Sequence, residues 1–132
     1  MITKDQYFIG RKHSIEQGLN ADFVLASVNA LISRYTSETG TEVPVNPKTN
    51  SQISGETNGG FRLPDCPIGA ADSSHKQGQA VDVYDPFNDL DDWVTDEILT
   101  EFGLYREHPD STQHWCHLTT RAPHSGNRTF IP

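Results

Sequence analysis

Five consecutive residues, Ala80-Val81-Asp82-Val83-Tyr84, constrain this chain more than any other segment. Their period of two is that of a β-strand, with Ala80, Asp82 and Tyr84 on one face and Val81 and Val83 on the other. Gly78 before the run allows a sharp bend, and Pro86 ends it. A fold built on this chain therefore has a strand with an apolar face and a carboxylate-bearing face.

The rest of the pattern arranges itself around that strand. Thr3-Lys4-Asp5-Gln6 has the spacing of a capping box and predicts a short helix from Lys4 to Ile9, with Gly10 ending it. Arg11 to Gly18 reads as irregular. Asn20 is the expected N-cap of the longest helix, whose buried stripe is Phe23, Val24, Val28, Leu31, Ile32 and Tyr35, with Gly40 as its stop. Glu42 to Gly60 reads as loop with one strand around Gln52-Ile53-Ser54, and Phe61 to Ser74 as a further irregular stretch. After the central strand, Asn88 or Asp89 caps a second helix with the stripe Leu90, Trp93, Val94, Ile98 and Phe102, closed by Gly103. Leu104-Glu107 and His114-Thr119 read as a strand pair joined by a turn at His108-Ser111. The tail from Arg121 to Pro132 has no strong period. This order predicts an α+β class: a small, mostly antiparallel sheet with N-terminal helices and one inserted helix.

Length and charge narrow the function. The chain has 132 residues, enough for a single domain over 1–132. Its net charge of −8 excludes the basic face of a nucleic-acid binder and electrostatic docking on anionic lipid. No apolar run reaches the roughly 18 residues of a membrane span. The N-terminus lacks the basic-then-apolar order of a secretory signal, so the expectation is synthesis in the cytoplasm without a signal peptide. Two cysteines, Cys66 and Cys116, are expected to be free thiols.

Chemistry concentrates in Ser74-His75-Lys76-Gln77-Gly78-Gln79-Ala80-Val81-Asp82. The bend at Gly78 lets a loop histidine fold back beside the strand carboxylate, so that His75 and Asp82 offer one nitrogen and one oxygen to the same ion. Zinc accepts such donors, and a catalytic zinc takes three protein ligands and keeps one position open. His117 is the expected third ligand, sharing a strand face with Trp115 and Thr119 while Cys116 and Leu118 point the other way. Cys116 is the alternative donor beside it, although a small core residue is the simpler role.

The string Ser74-x-His75-x-x-Gly78-x-Ala80-x-Asp82, followed by Trp115-x-His117, resembles the zinc D-Ala-D-Ala carboxypeptidase family. That family includes vancomycin-resistance dipeptidases and phage L-alanyl-D-glutamate endopeptidases, and it shares its fold with the hedgehog signalling domain. The opening Thr3-Lys4-Asp5-Gln6-Tyr7 with Gly10-Arg11, and the ending Ser125-Gly126-Asn127-Arg128-Thr129-Phe130-Ile131-Pro132, look like those of small phage and prophage peptidase-like proteins. The resemblance implies a hedgehog-like fold and Zn2+ held by His75, Asp82 and His117. It implies a metallopeptidase (hydrolase) that cuts an amide bond in peptidoglycan stem peptides, as a D-Ala-D-Ala carboxypeptidase or an L-Ala-D-Glu endopeptidase. It implies an endolysin-like or virion protein that reaches the cell wall through phage release.

Two further catalytic roles follow from the same resemblance. Arg62 is the expected arginine that polarises the substrate carbonyl or holds its carboxylate, although the family's Ser-Gly-aromatic-Arg string is interrupted here between Ser54-Gly55 and Phe61-Arg62. The general base is usually a carboxylate three residues before the last ligand, and that position holds His114. Glu107, on the neighbouring strand, is the preferred base, with Asp110, His108 and His114 as alternatives. Trp115 is expected to line the substrate cleft or to pack, Ser74 to steady the turn before His75, and His13 and His124 to lie at the surface. Asp85, Asp89, Asp91 and Asp92 read as a solvated helix start rather than a calcium loop. The missing carboxylate before His117 leaves a second function open, a zinc-stabilised structural or binding module without activity.

Overall fold

A computed structural model describes all of residues 1–132. It is a small α+β fold with a four-stranded mixed sheet. The chain begins with α1 (Lys4–Phe8), whose Thr3 cap and Gln6 form the reciprocal capping box. Helix α2 (Ile15–Thr39) follows, and Gly40 closes it in the left-handed conformation. Its start differs from the expectation at Asn20. Ser14 and Gln17 make a second capping box, with the cap six residues upstream of Asn20, so the end of the segment read as irregular is the first turn of the helix.

One face of α2 carries Ala21, Val24, Leu25, Val28, Leu31, Ile32 and Tyr35 into the core. Burying each large apolar side chain contributes about 1.5–3 kcal/mol. Phe23 is a correction, because it is 68% exposed. With Ile15 and Leu19 it forms an i, i+4, i+8 row on the opposite side of the helix.

The sheet is built from β1 (Ala80–Tyr84), β2 (Tyr105–Glu107), β3 (Trp115–Thr119) and β4 (Thr129–Phe130), in the spatial order β1-β3-β2-β4. β3 pairs antiparallel with β1 and with β2, and β4 adds in parallel to β2. Val81, Val83, Cys116 and Leu118 fill the core side, as their alternation demands. The outer edge of β1 is covered by the preceding loop: the Ser54 N–H donates to Asp82 O, Asp82 N–H to Gly59 O and Tyr84 N–H to Gln52 O, each over 2.8 Å. The strand expected around Ile53 is thereby reduced to a single bridge with Val83.

The single inserted helix is in fact two, α3 (Asp89–Trp93) and α4 (Asp96–Phe102). The break falls at Val94, which is extended, and Thr95, whose hydroxyl caps α4 by accepting from the Ile98 N–H. Asn88 occupies the N-cap position of α3, but its side chain makes no capping hydrogen bond. The Asp85 carboxylate supplies the acceptors, taking the Leu90 and Asp91 N–H groups over 2.9 Å. Asp85 and Asp91 are buried, which corrects the picture of a solvated acidic run. No helix is long and apolar enough to cross a membrane.

Candidate metal centre and cleft

His75 lies in a 3₁₀ turn (Ser74–Gln77) that Gly78 closes at φ 75°. A side chain at Gly78 would put its Cβ 2.6 Å from the Gln17 carbonyl oxygen, so helix α2 packs directly on this bend. Gln17 and Asn20 also donate side-chain hydrogen bonds to the carbonyls of Lys76 and Gln77. The first half of α2 therefore holds the ligand-bearing turn in place. Ser73, not Ser74, caps that turn by accepting from the His75 N–H. Ser74 lines the cleft instead.

The His75 ring is fixed from behind. Its Nδ1 lies 2.8 Å from the Gly60 carbonyl, which can only accept, so Nδ1 carries a hydrogen and Nε2 is the nitrogen turned towards Asp82. That Nε2 is 3.2 Å from Asp82 Oδ1. Asp82 stands in the middle of β1, directly across from His117 in β3. His117 Nδ1 is 2.9 Å from the same Oδ1. All three side chains are buried, and their donor atoms lie within 4.8 Å of one another. Two ligands each about 2.1 Å from a tetrahedral ion lie roughly 3.4 Å apart, so this group could hold a metal ion with little movement.

Electrostatics in the cluster favour charge separation. Burial alone pushes the Asp82 carboxyl up, but the two imidazoles outweigh it and hold it well below the usual carboxylate range. Burial pushes the His117 imidazole down, and the Asp82 hydrogen bond and charge, with Glu107 beyond, bring it above its ordinary value. The second Asp82 oxygen faces Arg62, with Nη2 at 3.5 Å. Arg62 Nε donates to the Asn58 carbonyl over 2.8 Å, which sets the plane of the guanidinium.

The cluster opens into a cleft of about 740 Å³. Ser74, Arg62, Glu107 and Trp115 line it together with the three donor residues. Glu107 lies one step beyond the Arg106–Leu118 pair of β2 and β3, and its Oε1 is 3.9 Å from His117 Nε2. Asp110, His108 and His114 are absent from the lining. His114 is not on β3 at all. Its φ is 79°, its N–H donates to Asn88 Oδ1, and its ring bonds the Pro86 carbonyl. Cys116 is fully buried on the other face of β3, and burial together with nearby Asp91 pushes its thiol up, which makes it a poor ligand. His13 stacks on Phe8, with ring centroids 3.6 Å apart. His124 is exposed but stands on the cleft wall.

Sequence reasoning missed the far wall. Asp72, Arg121 and the end of the chain around Phe130 line the cleft, and Arg121 hydrogen-bonds the backbone carbonyl and the carboxylate of Asp72. The only local signal was the cationic side chain four residues after His117. Comparison of the chain with family models, curated proteins and solved structures finds no match.

Proposed function

We propose that this protein is a zinc-dependent peptidase that hydrolyses an amide bond in peptidoglycan stem peptides, of the D-Ala-D-Ala carboxypeptidase or L-Ala-D-Glu endopeptidase type. What supports this most is the meeting of His75 Nε2, His117 Nδ1 and Asp82 Oδ1 in a cleft open to a peptide. Two imidazoles and one carboxylate are a donor set that suits zinc. When bound, zinc would supply Lewis acidity and lower the pKa of a water towards ~7.

The chain's own groups supply the rest. Gly60 fixes the His75 tautomer, and Glu107, beside the cluster, takes the proton from the attacking water and returns it to the leaving amine. Arg62 donates hydrogen bonds to the carbonyl oxygen as negative charge builds on it. Trp115 and Ser74 form walls against which the peptide is oriented. In this reading the antiparallel β1-β3-β2 core is that of a hedgehog-like fold, and the protein meets the cell wall as a phage lytic or virion component.

A second reading, a metal-stabilised binding module without turnover, is favoured by one observation. The position three residues before His117 is His114, which is turned away from the cleft. Incubation of zinc-loaded protein with purified peptidoglycan and with short stem peptides distinguishes the two. The peptidase releases new amines, and loses that activity with Glu107→Gln at unchanged zinc content. Bound zinc without amine release would leave the module.

A further inference from the structure

Once the metal cluster, Glu107 and Arg62 are accounted for, one charged pair remains in the cleft, Arg121 with Asp72. The two arginines of the cleft are held very differently. Arg62 is 12% exposed and locked between Asn58 and Asp82. The Arg121 side chain is 39% exposed: its Nη1 donates to the Asp72 backbone carbonyl, and its Nη2 meets the Asp72 carboxylate, which is 80% exposed. An ion pair this open is worth about 0–1 kcal/mol, so the carboxylate exchanges readily while the bond to the Asp72 carbonyl keeps the guanidinium in the cleft.

The base of Arg121 is nevertheless firmly placed. Its backbone N–H donates to Thr119 Oγ1 over 3.0 Å, and the buried Thr119 hydroxyl donates in turn to the Gln79 carbonyl. A fixed stem with an exchangeable head is the arrangement of a ligand anchor. The group it already holds identifies what it takes. Nη2 meets a carboxylate oxygen of Asp72 at 3.4 Å, and a guanidinium fork matches a carboxylate with two parallel hydrogen bonds. The chain as a whole carries −8 and repels anionic peptides, so a local cation inside the cleft is needed to admit one.

We propose that Arg121 is a specificity-determining residue: it takes a carboxylate of the bound peptide in exchange for Asp72. The peptide as ligand rests on the peptidase function proposed above.

The test uses the full-length zinc-loaded protein carrying Glu107→Gln, so that neither probe is consumed. Binding of N-acetyl-D-alanyl-D-alanine and of its C-terminal carboxamide is followed by NMR shift titration. The acid is expected to bind about tenfold or more tightly than the amide. Arg121→Gln brings the acid down to the amide and leaves the amide unchanged, while Arg121→Lys restores part of the difference. Asp72→Asn, which removes the competing carboxylate, tightens binding of the acid alone. If Arg121 and Asp72 served only to tie the two walls together, both substitutions would weaken both probes alike, and that result overturns the proposal. Equal binding of acid and amide before any change at position 121 also overturns it, as does a preference abolished by Arg62→Gln but untouched by Arg121→Gln. Hydrolysis is scored separately in the unsubstituted protein. A preserved acid preference without hydrolysis would sink the peptidase and leave Arg121 as the anchor of a binding site.

Discussion

Asp82 and Asp91 are both hidden from water, 8% and 2% exposed, and they are held in opposite electrostatic states. Burial raises the Asp91 carboxyl above its usual range, and the neighbouring Cys116, Arg106 and Thr112 only partly offset it. At Asp82 the two histidines overcome the same burial. Asp91 belongs to a closed network: its backbone carbonyl accepts from Arg106 Nη1 over 2.7 Å, and its carboxylate accepts from Thr112 Oγ1 over 3.3 Å. Asp82 opens on a cleft, and its partners are imidazoles, a side chain that can serve as a metal ligand. A raised carboxyl is a common mark of a catalytic acid, yet here it marks a structural knot. Accessibility and donor chemistry, rather than burial, separate the candidate site from the scaffold.

That contrast is most sharply tested by removing each carboxylate in turn. Asp82→Ala takes away one of three donors, and elemental analysis should find the zinc lost together with all hydrolysis. His75→Ala and His117→Ala should behave the same way. Zinc-dependent melting should vanish with them, because ligands drawn from separate segments couple binding to folding. Asp91→Ala should keep one zinc per folded chain. An Asp91→Ala protein that folded normally but held no zinc would erase the distinction between the two clusters.

Glu107→Gln is expected to have the next largest effect, a fall of roughly 10²–10⁴ in kcat with zinc retained, which is the range for losing a general base. Its side chain keeps the size and the hydrogen-bonding reach, so a small effect in steady-state kinetics would remove Glu107 from the chemistry. Asp91→Ala follows on the stability side. It removes the carboxylate beside the buried Arg106 guanidinium and the acceptor of the Thr112 hydroxyl, while Arg106 keeps its bond to the backbone carbonyl, and denaturant unfolding should show a loss of about 1–3 kcal/mol. A loss below about 0.5 kcal/mol, typical of a surface site, would mean that the Asp91 knot carries no structural load.

The candidate site was legible because its signals are local. His75, Gly78 and Asp82 lie within one bend and one strand, and the period of two then fixes which of Cys116 and His117 faces Asp82. The position of Glu107 beside the cluster follows from the same logic of cross-strand neighbours. What the sequence hid depends on distant partners. β4 is two residues long and exists only because Thr129 and Phe130 pair with β2, so no periodicity announces it. The cleft wall that it carries was hidden with it. Phe23 falls on an apolar row in sequence, but which side of a 25-residue helix turns inward is decided by the sheet beneath it. The start of α2 was missed for a different reason. Ser14-x-x-Gln17 repeats the capping pattern of Thr3-x-x-Gln6, but the apolar residues of its first turns, Ile15 and Leu19, lie on the exposed row and not on the buried stripe that marks the helix.

The smallest expected effect is a difference of sign with pH, measured by melting of the chelator-treated protein. Asp82 titrates below its unfolded value in the fold. Its contribution to stability is therefore present above the ordinary carboxylate range and is lost as pH falls through the depressed value. Asp91 titrates above its unfolded value. The folded state then holds that proton more tightly, so stability is greatest below the ordinary carboxylate range and is lost as pH rises through the raised value. Asparagine at either position removes that residue's dependence. On raising the pH from acid to neutral, the stability advantage of the unsubstituted protein should widen over Asp82→Asn and narrow over Asp91→Asn. Trends of the same direction for both would mean that the two carboxylates feel the same environment, and the electrostatic separation of cleft from scaffold would fail.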